Sequence, residues 1–489
     1  LILFLLFLEF WVGWCQSLRM AFKRKKDDGG DKKKEKKSKI SLDPIVYRSD
    51  VTKSKLYEPN IVRSFYKFKT GQRGLECLRW SADNCVTSRL RDFKVFAMDP
   101  YKFYRRITAV KWHPTKPNWV ALGSKCGEVI FRNINDVASE QKPLQSARHQ
   151  AITNFCFDPF NDHSLLMSSV DGTISHWNYE ADVMRELLDL NLGMPTLFMF
   201  CCVNASEETG LVVAGDSPGM LTLLSKDLRP IAKHKVHKAK VNTAEFCKKK
   251  GNILATASLD KSVKLWDIRM IGKEKSKSGI AVHLECIEHD HPINAAYFSK
   301  TNNNRLLLTD QKMELKVYTM PFLTHESTIY HPHRQFQHLT PIKASWHPLA
   351  DLIVIGRYPD PSWPDYELEQ RSIDIIDPKT GQCDLHMLSN QCKSIMSLNE
   401  FNVTGDYLAS GMGLYVAYWK ARPPSAVDKK TRPSDGGGRR PPDSDSDDDD
   451  NDDEPKLTKP AYPQTKKKPQ TKKEPKSSSK CPKKGSKKS

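Results

Sequence analysis

The strongest constraint on the fold of this chain is a set of short apolar segments that recurs about every 40 to 50 residues. Two of the repeats carry a histidine, a serine, an aspartate and a tryptophan in the same order and at nearly the same spacing. They are His149, Ser169, Asp171 and Trp177 in one repeat, and His237, Ser258, Asp260 and Trp266 in the other. A repeat of this length is typical of the blades of a β-propeller, because each four-stranded blade buries its core by stacking on its neighbours.

Weaker copies of the repeat fill the chain around these two. They lie at about residues 107–131, 211–224, 293–318 and 342–377, and in a last copy that ends at Trp419. Each copy contains short β-rich runs separated by turn residues, as the strands of a blade require. The sequence therefore predicts an all-β, seven-bladed propeller over residues 101–421. The shared His, Ser, Asp and Trp positions resemble the buried hydrogen-bond set of WD40 blades, so we expect them to have a structural role.

A different pattern precedes the propeller, in residues 56–100. Its apolar residues recur at helical spacings, and two glycines interrupt the segment. The apolar positions are Leu75, Leu78, Leu90, Phe93 and Phe96, and the glycines are Gly71 and Gly74. We expect a helix, a loop and a second helix, which either pack on the propeller or dock a partner.

Both ends of the chain have the composition of disordered segments. Residues 1–55 are rich in lysine after an apolar opening at 1–19, and residues 422–489 run from an acidic block at 443–454 into a lysine-rich tail. Blocks of like charge beside proline and glycine do not form a core. The opening lacks a basic start and is interrupted by Glu9, which is not typical of a signal peptide. We interpret residues 1–19 as translated upstream sequence, with a membrane anchor as the alternative.

The charge of the chain favours a polyanionic partner. The formal net charge is +19, which suits nucleic acid or an acidic membrane surface. Lysine clusters at Lys23–Lys26 and Lys32–Lys37 fit a nuclear-import signal, although a solvated tail has the same composition. The twelve cysteines show no CxxC pairs, which predicts reduced thiols of an intracellular protein. We expect a nuclear protein with no membrane partner.

No catalytic motif is recognisable in the sequence. A P-loop, a GxSxG elbow, an HExxH pair and a dinucleotide fingerprint are all missing, so we expect a non-catalytic protein without a cofactor. His331, His333 and His338 are close in sequence. Pro332 forces an extended backbone between the first two, and no cysteine or carboxylate joins them nearby, so we expect no zinc site.

The loop between two propeller repeats at residues 331–348 carries the most informative chemistry. A phenyl ring at Phe336 can fill the gap left by an unstacked base, and Gln337 and His338 can hydrogen-bond the exposed base edges. The alternative is that Phe336 plugs its own domain. Basic and aromatic residues recur in other loops that open on the same side of a propeller. They are Arg105, Arg106, Lys125, Lys238, Lys240, Arg334, Arg357 and Tyr358.

Taken together, several motifs resemble one family. They are HRQFQHLTPIKASWHP (333–348), LIVIGRYPDP (352–361), TDQKMELKVY (309–318) and LATASLDKSVKLWDIR (254–269). They are similar to the damage-specific DNA-binding proteins, subunit two, which are the WD40 subunits of the UV-damaged DNA-binding heterodimer. The likeness runs from about Asn60 to Trp419. Residues 1–19 and the tail after Arg422 do not match the family, so the resemblance implies no role for them.

The resemblance implies a DNA-binding role for the loops on one side of the propeller. In the family, the hairpin that matches Phe336, Gln337 and His338 enters the minor groove at the lesion, and a photodimer is flipped into a shallow pocket. The residue that matches Lys240 holds the DNA backbone near the lesion. The full set of predicted backbone contacts is Lys240, Arg334, Arg357, Tyr358, Arg106 and Lys125.

The resemblance also implies a protein partner. The WDIR at Trp266–Arg269 matches the box by which substrate receptors of cullin-RING ubiquitin ligases engage their large, three-propeller adaptor subunit, and the helix-loop-helix matches the segment that inserts into that adaptor. The predicted adaptor contacts are Asp267, Arg269, Ile61, Phe65, Leu75 and Leu78. The expected function is recognition of UV-induced and other lesions in duplex DNA and chromatin. Recognition would initiate nucleotide excision repair, with the chain as the substrate receptor of the ligase.

Two other functions are compatible with the residues themselves. The first is a WD40 protein-interaction scaffold without lesion specificity, in which Phe336 is a plug and the basic loops are solvated. The second is an RNA-binding propeller that stacks Phe336 on a loop base.

Overall fold

The computed structural model describes residues 61–139, 143–146, 148–192, 197–273, 279–301, 303–335, 338–359, 361 and 371–422. Two residues of the predicted wedge, Phe336 and Gln337, lie outside the described residues. So do the N-terminal region, including the apolar opening, and the acidic and lysine-rich tail. No helix within the described ranges is long and apolar enough to cross a membrane.

The described residues form seven four-stranded antiparallel sheets, which confirms the predicted seven-bladed propeller. Blade 1 contains β2 (Ile107–Trp112), β3 (Trp119–Ser124), β4 (Glu128–Asn133) and β5 (Leu144–Gln145), with a 3-10 helix at Ile134–Asp136. Blade 2 contains β6 (Ile152–Phe157), β7 (Ser164–Ser169), β8 (Thr173–Asn178) and β9 (Val183–Asp189). Blade 3 contains β10 (Phe200–Ser206), β11 (Leu211–Asp216), β12 (Met220–Ser225) and β13 (Pro230–Lys235).

Blades 4 to 7 repeat this arrangement. Blade 4 contains β14 (Val241–Cys247), β15 (Lys250–Ser258), β16 (Ser262–Asp267) and β17 (Glu285–Glu288). Blade 5 contains β18 (Ile293–Phe298), β19 (Arg305–Asp310), β20 (Glu314–Thr319) and β21 (Thr324–Tyr330). Blade 6 contains β22 (Ser345–Trp346), β23 (Ile353–Gly356), β24 (Ile373–Ile376) and β25 (Cys383–Met387). Blade 7 contains β26 (Leu398–Phe401), β27 (Tyr407–Met412), β28 (Tyr415–Ala421) and, as its outer strand, β1 (Phe93–Met98).

The core lies between the blades. Strands such as Ile353–Gly356 and Ile373–Ile376 are buried along their whole length, because each sheet packs against a neighbour on both faces. These strands are continuous apolar runs without the alternation of a half-exposed strand. The tryptophans Trp266 and Trp346, each 1% exposed, anchor two of the apolar clusters between blades.

The hydrogen-bond set predicted for two repeats forms in only one of them. In blade 4, the Trp266 indole donates to the Thr256 hydroxyl (2.8 Å), which contacts His237 Nε2 (2.7 Å), and His237 Nδ1 lies 3.0 Å from Asp260 Oδ2. The linking hydroxyl belongs to Thr256 and not to the predicted Ser258, whose Oγ instead donates to a backbone carbonyl. Burial lowers the pKa of His237, so its ring stays neutral within this network.

In blade 2, Ser169, Asp171 and Trp177 are buried as predicted, but the network that would link His149 to Trp177 does not form. His149 is exposed, and the Trp177 indole donates to Asp182. The residue that corresponds to Thr256, two positions before the last residue of the second strand, is the buried Met167. A thioether cannot link a histidine to a tryptophan by hydrogen bonds, so the spacing of the four residue types did not predict the network.

Within the described residues, two helices precede the propeller, as the sequence predicts. They are α1 (Ile61–Lys69) and α2 (Leu75–Arg91), joined by a turn in which Gly71 has φ of 69°. The hydroxyls of Ser64 and Ser81 lie 2.8 Å apart between them. At the end of α2, Leu90 is 1% exposed and belongs to the core cluster shared by blades 6 and 7.

The predicted second helix is too long at its C-terminal end. The helical spacing includes Phe93 and Phe96, but these residues lie in strand β1, which pairs with β28 and closes the ring of blades. The boundary between the helical segment and the propeller therefore falls at Asp92 and not at residue 100. Pairing with the open edge of β28 removes that edge from solvent, and this gain outweighs the local helical pattern.

The inner strands define two faces. Residues of β2, β6, β10, β14, β18, β22 and β26 line a central channel. We call the end of the propeller at which these inner strands begin the top face, and the end at which they finish the bottom face. Because each sheet is antiparallel, the loop before each inner strand and the loop between the second and third strands lie at the top face. The loops that follow the first and third strands lie at the bottom face.

Candidate nucleic-acid interface and partner-binding face

Blade 1 brings two predicted DNA contacts together at the top face. Arg106 immediately precedes β2, and Lys125 lies in the turn between β3 and β4. The Lys125 backbone N–H donates to the Arg106 carbonyl (2.9 Å), so the two residues are neighbours. Within the described part of the chain, no carboxylate forms an ion pair with either side chain. No described residue therefore competes with an anionic ligand for these two positive charges.

Blade 4 and blade 6 contribute a second basic pair at the mouth of the channel. Lys240 immediately precedes β14, and Lys343 lies two residues before β22 and lines the channel. Burial, together with the nearby positive charge of Lys240, lowers the pKa of the Lys343 ammonium to about 8. No carboxylate in the described ranges pairs with either ammonium. The sequence did not single out Lys343, although a lysine in the apolar run before an inner strand is a usable signal.

The limb that leads to the predicted wedge is held by Tyr358. His333 and Tyr358 form a parallel β-bridge, and the backbone N–H of Arg334 donates to the Tyr358 carbonyl (3.1 Å). The Arg334 guanidinium lies 4.4 Å from the centre of the Tyr358 ring and donates to its hydroxyl (2.6 Å). The guanidinium of Arg371, which the sequence did not single out, lies 4.5 Å from the centre of the same ring. Two cationic groups thus flank this limb, and His338 is exposed just beyond the two residues that are not described.

Arg357 occupies a different environment from the other predicted DNA contacts. It is 5% exposed, and its Nη1 donates to Asp374 Oδ2 (3.0 Å). His331 Nε2 lies 3.2 Å from the same oxygen. Burial alone would raise the pKa of Asp374, but hydrogen bonds from His331 and His386 hold it well below its usual range. The charge of Arg357 is therefore compensated inside blade 6, beneath the limb that Tyr358 holds.

The same network includes a set of possible metal ligands. Asp374, Cys383 and His386 place ligand atoms within 4.8 Å of one another. Both Asp374 oxygens already accept hydrogen bonds, one from Arg357 and the other from the Ser372 hydroxyl (2.6 Å). Burial and the charge of Asp374 raise the pKa of the Cys383 thiol. These residues form a satisfied hydrogen-bond network in which a cation would compete with a guanidinium.

The WDIR segment ends at the bottom face. Arg269 makes two hydrogen bonds to Asp267 at the end of β16, with Nη2 to Oδ2 at 2.6 Å and Nε to Oδ1 at 2.9 Å. These bonds lower the pKa of Asp267 to about 2. The side chain of Arg269 is still 68% exposed. Asp267 therefore orients the guanidinium while its outer edge faces solvent.

The helical segment presents an apolar surface. Phe65 and Leu75 are 55% and 45% exposed, and Val62 and Tyr66 beside them are more exposed still. Of the other predicted adaptor contacts, Ile61 and Leu78 are half-buried. Neighbouring large apolar side chains at this exposure are typical of interaction surfaces. Arg89 near the end of α2 pairs with Asp406 of the β26–β27 loop (2.5 Å), which fixes the C-terminal end of α2 at the bottom face.

Comparison with known proteins identifies the family. The WD domain, G-beta repeat model matches residues 228–267, which include most of blade 4. The chain is 38% identical to DNA damage-binding protein 2 of Danio rerio over 77% of this chain and 74% of the relative. It is 36% identical to the Bos taurus protein of the same name over 74% of this chain and 82% of the relative, and 37% identical to the Mus musculus one over 74% and 81%. The chain belongs to the DNA damage-binding protein 2 family.

This member of the DNA damage-binding protein 2 family carries its two sets of candidate residues on opposite faces. Lys240 and Asp267 lie in the same blade, one before its first strand and one at the end of its third. The top-face set contains Arg106, Lys125 and Lys240, which have no ion pair within the described residues, and the bottom-face set contains apolar helix residues and Arg269. The two surfaces can therefore be occupied at the same time.

Proposed function

We propose that the chain recognises lesions in duplex DNA through its top face. The observation that carries this proposal is the group of positive charges at Arg106, Lys125 and Lys240, which no described carboxylate pairs, on the face to which the loop of residues 331–348 belongs. Unpaired ammonium and guanidinium groups bind phosphates and orient a duplex without selecting a sequence. The relatives named above are DNA damage-binding proteins, which favours damaged duplex as the ligand.

The proposed mechanism depends on how easily the DNA duplex is deformed. Phe336, Gln337 and His338 enter the minor groove as a wedge, and the damaged nucleotides leave the stack. Flipping out a base costs a few kcal/mol, and it costs least where damage already weakens pairing and stacking. The same wedge therefore costs less free energy at a lesion than in intact duplex. Because the shape and stiffness of the DNA determine the affinity, one site can accept photodimers, abasic sites and mismatches.

We further propose that the bottom face binds the large adaptor subunit of a cullin-RING ubiquitin ligase. Phe65, Leu75 and the exposed edge of Arg269 would form the contact, with apolar and arginine anchors of the kind that dominate protein interfaces. DNA on the top face would then bring the ligase to damaged chromatin and initiate nucleotide excision repair in the nucleus. The chain would act as a substrate receptor and not as a catalyst.

A competition gel shift tests the DNA proposal. The purified chain is titrated against one labelled duplex that is irradiated or intact, and against a single-stranded RNA of the same length. We expect tighter binding to the irradiated duplex at every salt concentration. Equal binding to irradiated and intact duplex would point to a scaffold with solvated basic loops, and preference for the RNA would point to base stacking in a loop.

A further inference from the structure

A recurring hydrogen bond joins neighbouring blades at the top of the channel. The side chain of the second residue of an inner strand donates to the carbonyl of a residue at or near the start of the next inner strand. Thr153 Oγ1 donates to Phe200 (2.8 Å), Asn242 Nδ2 to Ile293 (2.7 Å) and Asn294 Nδ2 to Ile342 (3.4 Å). The same bond thus links blades 2 and 3, blades 4 and 5, and blades 5 and 6.

Asn294 has more partners than its counterparts. Its Nδ2 also lies 3.0 Å from Gln335 Oε1 and 3.3 Å from the Asp310 carbonyl. Its Oδ1 accepts from Gln311 Nε2 (3.1 Å), which orients the amide so that the nitrogen faces these acceptors. Asn294 is 1% exposed. In a buried site a hydrogen bond of this kind is costly to leave unmade.

The partners of Asn294 lie on both limbs of one loop. Gln335 is the last described residue before the predicted wedge, and Ile342 lies on the limb that returns to β22. One buried amide therefore ties the outgoing limb to the returning limb. Tyr358 holds the outgoing limb from the other side through Arg334. The base of the loop is constrained by both blade 5 and blade 6.

We propose that Asn294 is a positioning residue for lesion discrimination. Its amide joins Gln335 and Ile342, which precede and follow the predicted wedge, and so limits the separation of these two residues. A segment whose two ends are held before binding loses less conformational freedom on insertion, and this advantage applies only to DNA in which insertion occurs. Asn294 therefore contributes to the preference for damaged over intact duplex and not to general DNA affinity. This inference rests on the proposed function of the top face.

The test uses Asn294→Thr in the full chain, with Asn242→Thr as its matched control. Blade 2 shows that threonine makes the interblade bond from this position, and its shorter side chain does not extend to Gln335. We expect Asn294→Thr to lower the ratio of affinities for irradiated and intact duplex about fivefold, the loss of one hydrogen bond. Asn242→Thr should leave the ratio unchanged, and both variants should have the same Tm.

Two further measurements separate positioning from simple destabilisation. Gln335→Ala should lower the ratio in the wild-type chain and have no added effect in Asn294→Thr. Both changes remove the same hydrogen bond, between Asn294 and Gln335. The fluorescence of 2-aminopurine beside the lesion should rise less with Asn294→Thr than with Asn242→Thr, since it reports base unstacking. If the ratio is unchanged in Asn294→Thr, or falls equally in both variants, Asn294 has no such role. A wild-type chain without any preference for irradiated duplex would overturn both this inference and the proposed function.

Discussion

The basic residues of the two candidate sites, on opposite faces of the propeller, differ in how their positive charges are compensated. At the top face, Arg106, Lys125 and Lys240 have no ion-pair partner in the described part of the chain. At the bottom face, Arg89, Arg269 and Arg305 are all paired, with Asp406, Asp267 and both Glu326 and Asp351 respectively. The net charge of +19 says nothing about this difference. Uncompensated charge alone does not mark a surface for a polyanion, since the exposed Lys248 and Lys249 of the bottom face also have no ion pair within the described ranges; at the top face it coincides with the loop that carries the predicted wedge.

The largest expected effect belongs to the wedge of the top face. Replacing Phe336, Gln337 and His338 together with alanine leaves the surrounding positive charge, so salt-sensitive binding to any duplex should remain. Preference for irradiated duplex should fall by about 100-fold, the scale of the unstacking that the wedge offsets. Gel shifts with irradiated and intact duplex measure this ratio. A variant that unfolds, or one that keeps its full preference, would show that these residues plug the propeller.

On the bottom face, the largest effect is expected at Phe65. Phe65→Ala removes a 55% exposed aromatic side chain from α1 and should weaken adaptor binding about 30-fold, as truncation of an interface anchor does. DNA binding should not change. Calorimetry with the purified adaptor subunit measures the affinity. Phe322→Ala is the control, since Phe322 is 84% exposed in the β20–β21 loop of blade 5. Equal losses in the two variants would contradict a contact centred on α1.

Reversing one charge on each face of blade 4 compares the faces directly. Lys240→Glu should weaken duplex binding about tenfold and reduce the dependence of affinity on salt, because one phosphate contact is lost and a repulsive charge is added. Lys249→Glu makes the same change in net charge, but in the exposed β14–β15 turn at the bottom face. It should alter neither quantity. If the two variants behave alike, the top face holds no local DNA site.

A smaller effect is expected for Arg269→His. The variant loses the two hydrogen bonds to Asp267, but an ion pair this exposed is screened by solvent and contributes little to stability, so the Tm should change little. Adaptor affinity should fall about fivefold, since a guanidinium edge is removed from the interface. A thermal melt and a co-purification experiment give the two numbers. A variant that melts normally and still binds the adaptor fully would remove Arg269 from the contact.

The smallest effect concerns a group between the faces. Glu245 lines the channel, and burial raises its pKa to about 7, although the Phe298 backbone N–H donates to it (2.7 Å) and opposes the shift. The folded chain therefore binds this proton more tightly than the unfolded chain, and the associated stability is lost as pH rises from the unfolded-state pKa through 7. Glu245→Gln should remove this loss. The free energy of unfolding of the variant, relative to that of the wild type, should therefore be higher at pH 8 than at pH 5, by a difference on the order of 1 kcal/mol.

Denaturant melts at several pH values measure this difference. The control is Glu76→Gln, because the Glu76 side chain is 89% exposed and its replacement should leave the pH profile of stability unchanged. Binding to DNA and to the adaptor should be the same in wild type and Glu245→Gln, since the channel wall belongs to neither face. A parallel pH profile in all three proteins would contradict the assigned pKa of Glu245.

The sequence predicted the fold better than its details. The repeat period defines the seven blades because every blade must bury both faces, whatever its individual residues. It does not define the internal networks, since one hydroxyl at Thr256 decides whether His237 can reach Trp266, and Met167 takes that place in blade 2. Strand β1 was missed because its pairing with β28 depends on residues at the far end of the propeller.

The sequence predicts the face on which a candidate residue lies when the residue directly precedes a strand. Arg106 and Lys240 immediately precede inner strands, so a correct count of blades places both at the top face. The environments of Arg357 and Arg371 were not predictable from the sequence. Arg357 is buried because it pairs with Asp374, whereas Arg371 lies over the Tyr358 ring, and nothing in the local sequence distinguishes the two arginines. Asn294 was missed because its partner Gln335 comes from a loop 41 residues later in the chain.

The closure of the ring by β1 has a consequence for biosynthesis. Phe93 pairs with Ala421, so β1, the first strand to be synthesised, cannot pair until β28, the last strand, has been synthesised. Contacts of such long separation in sequence slow folding. A chain that stops before Tyr415 still contains both helices, but it leaves the backbone edge of β1 unpaired, and unpaired edges invite aggregation and degradation. Only a chain translated to its final blade can hide that edge, so the ring of blades closes late in synthesis.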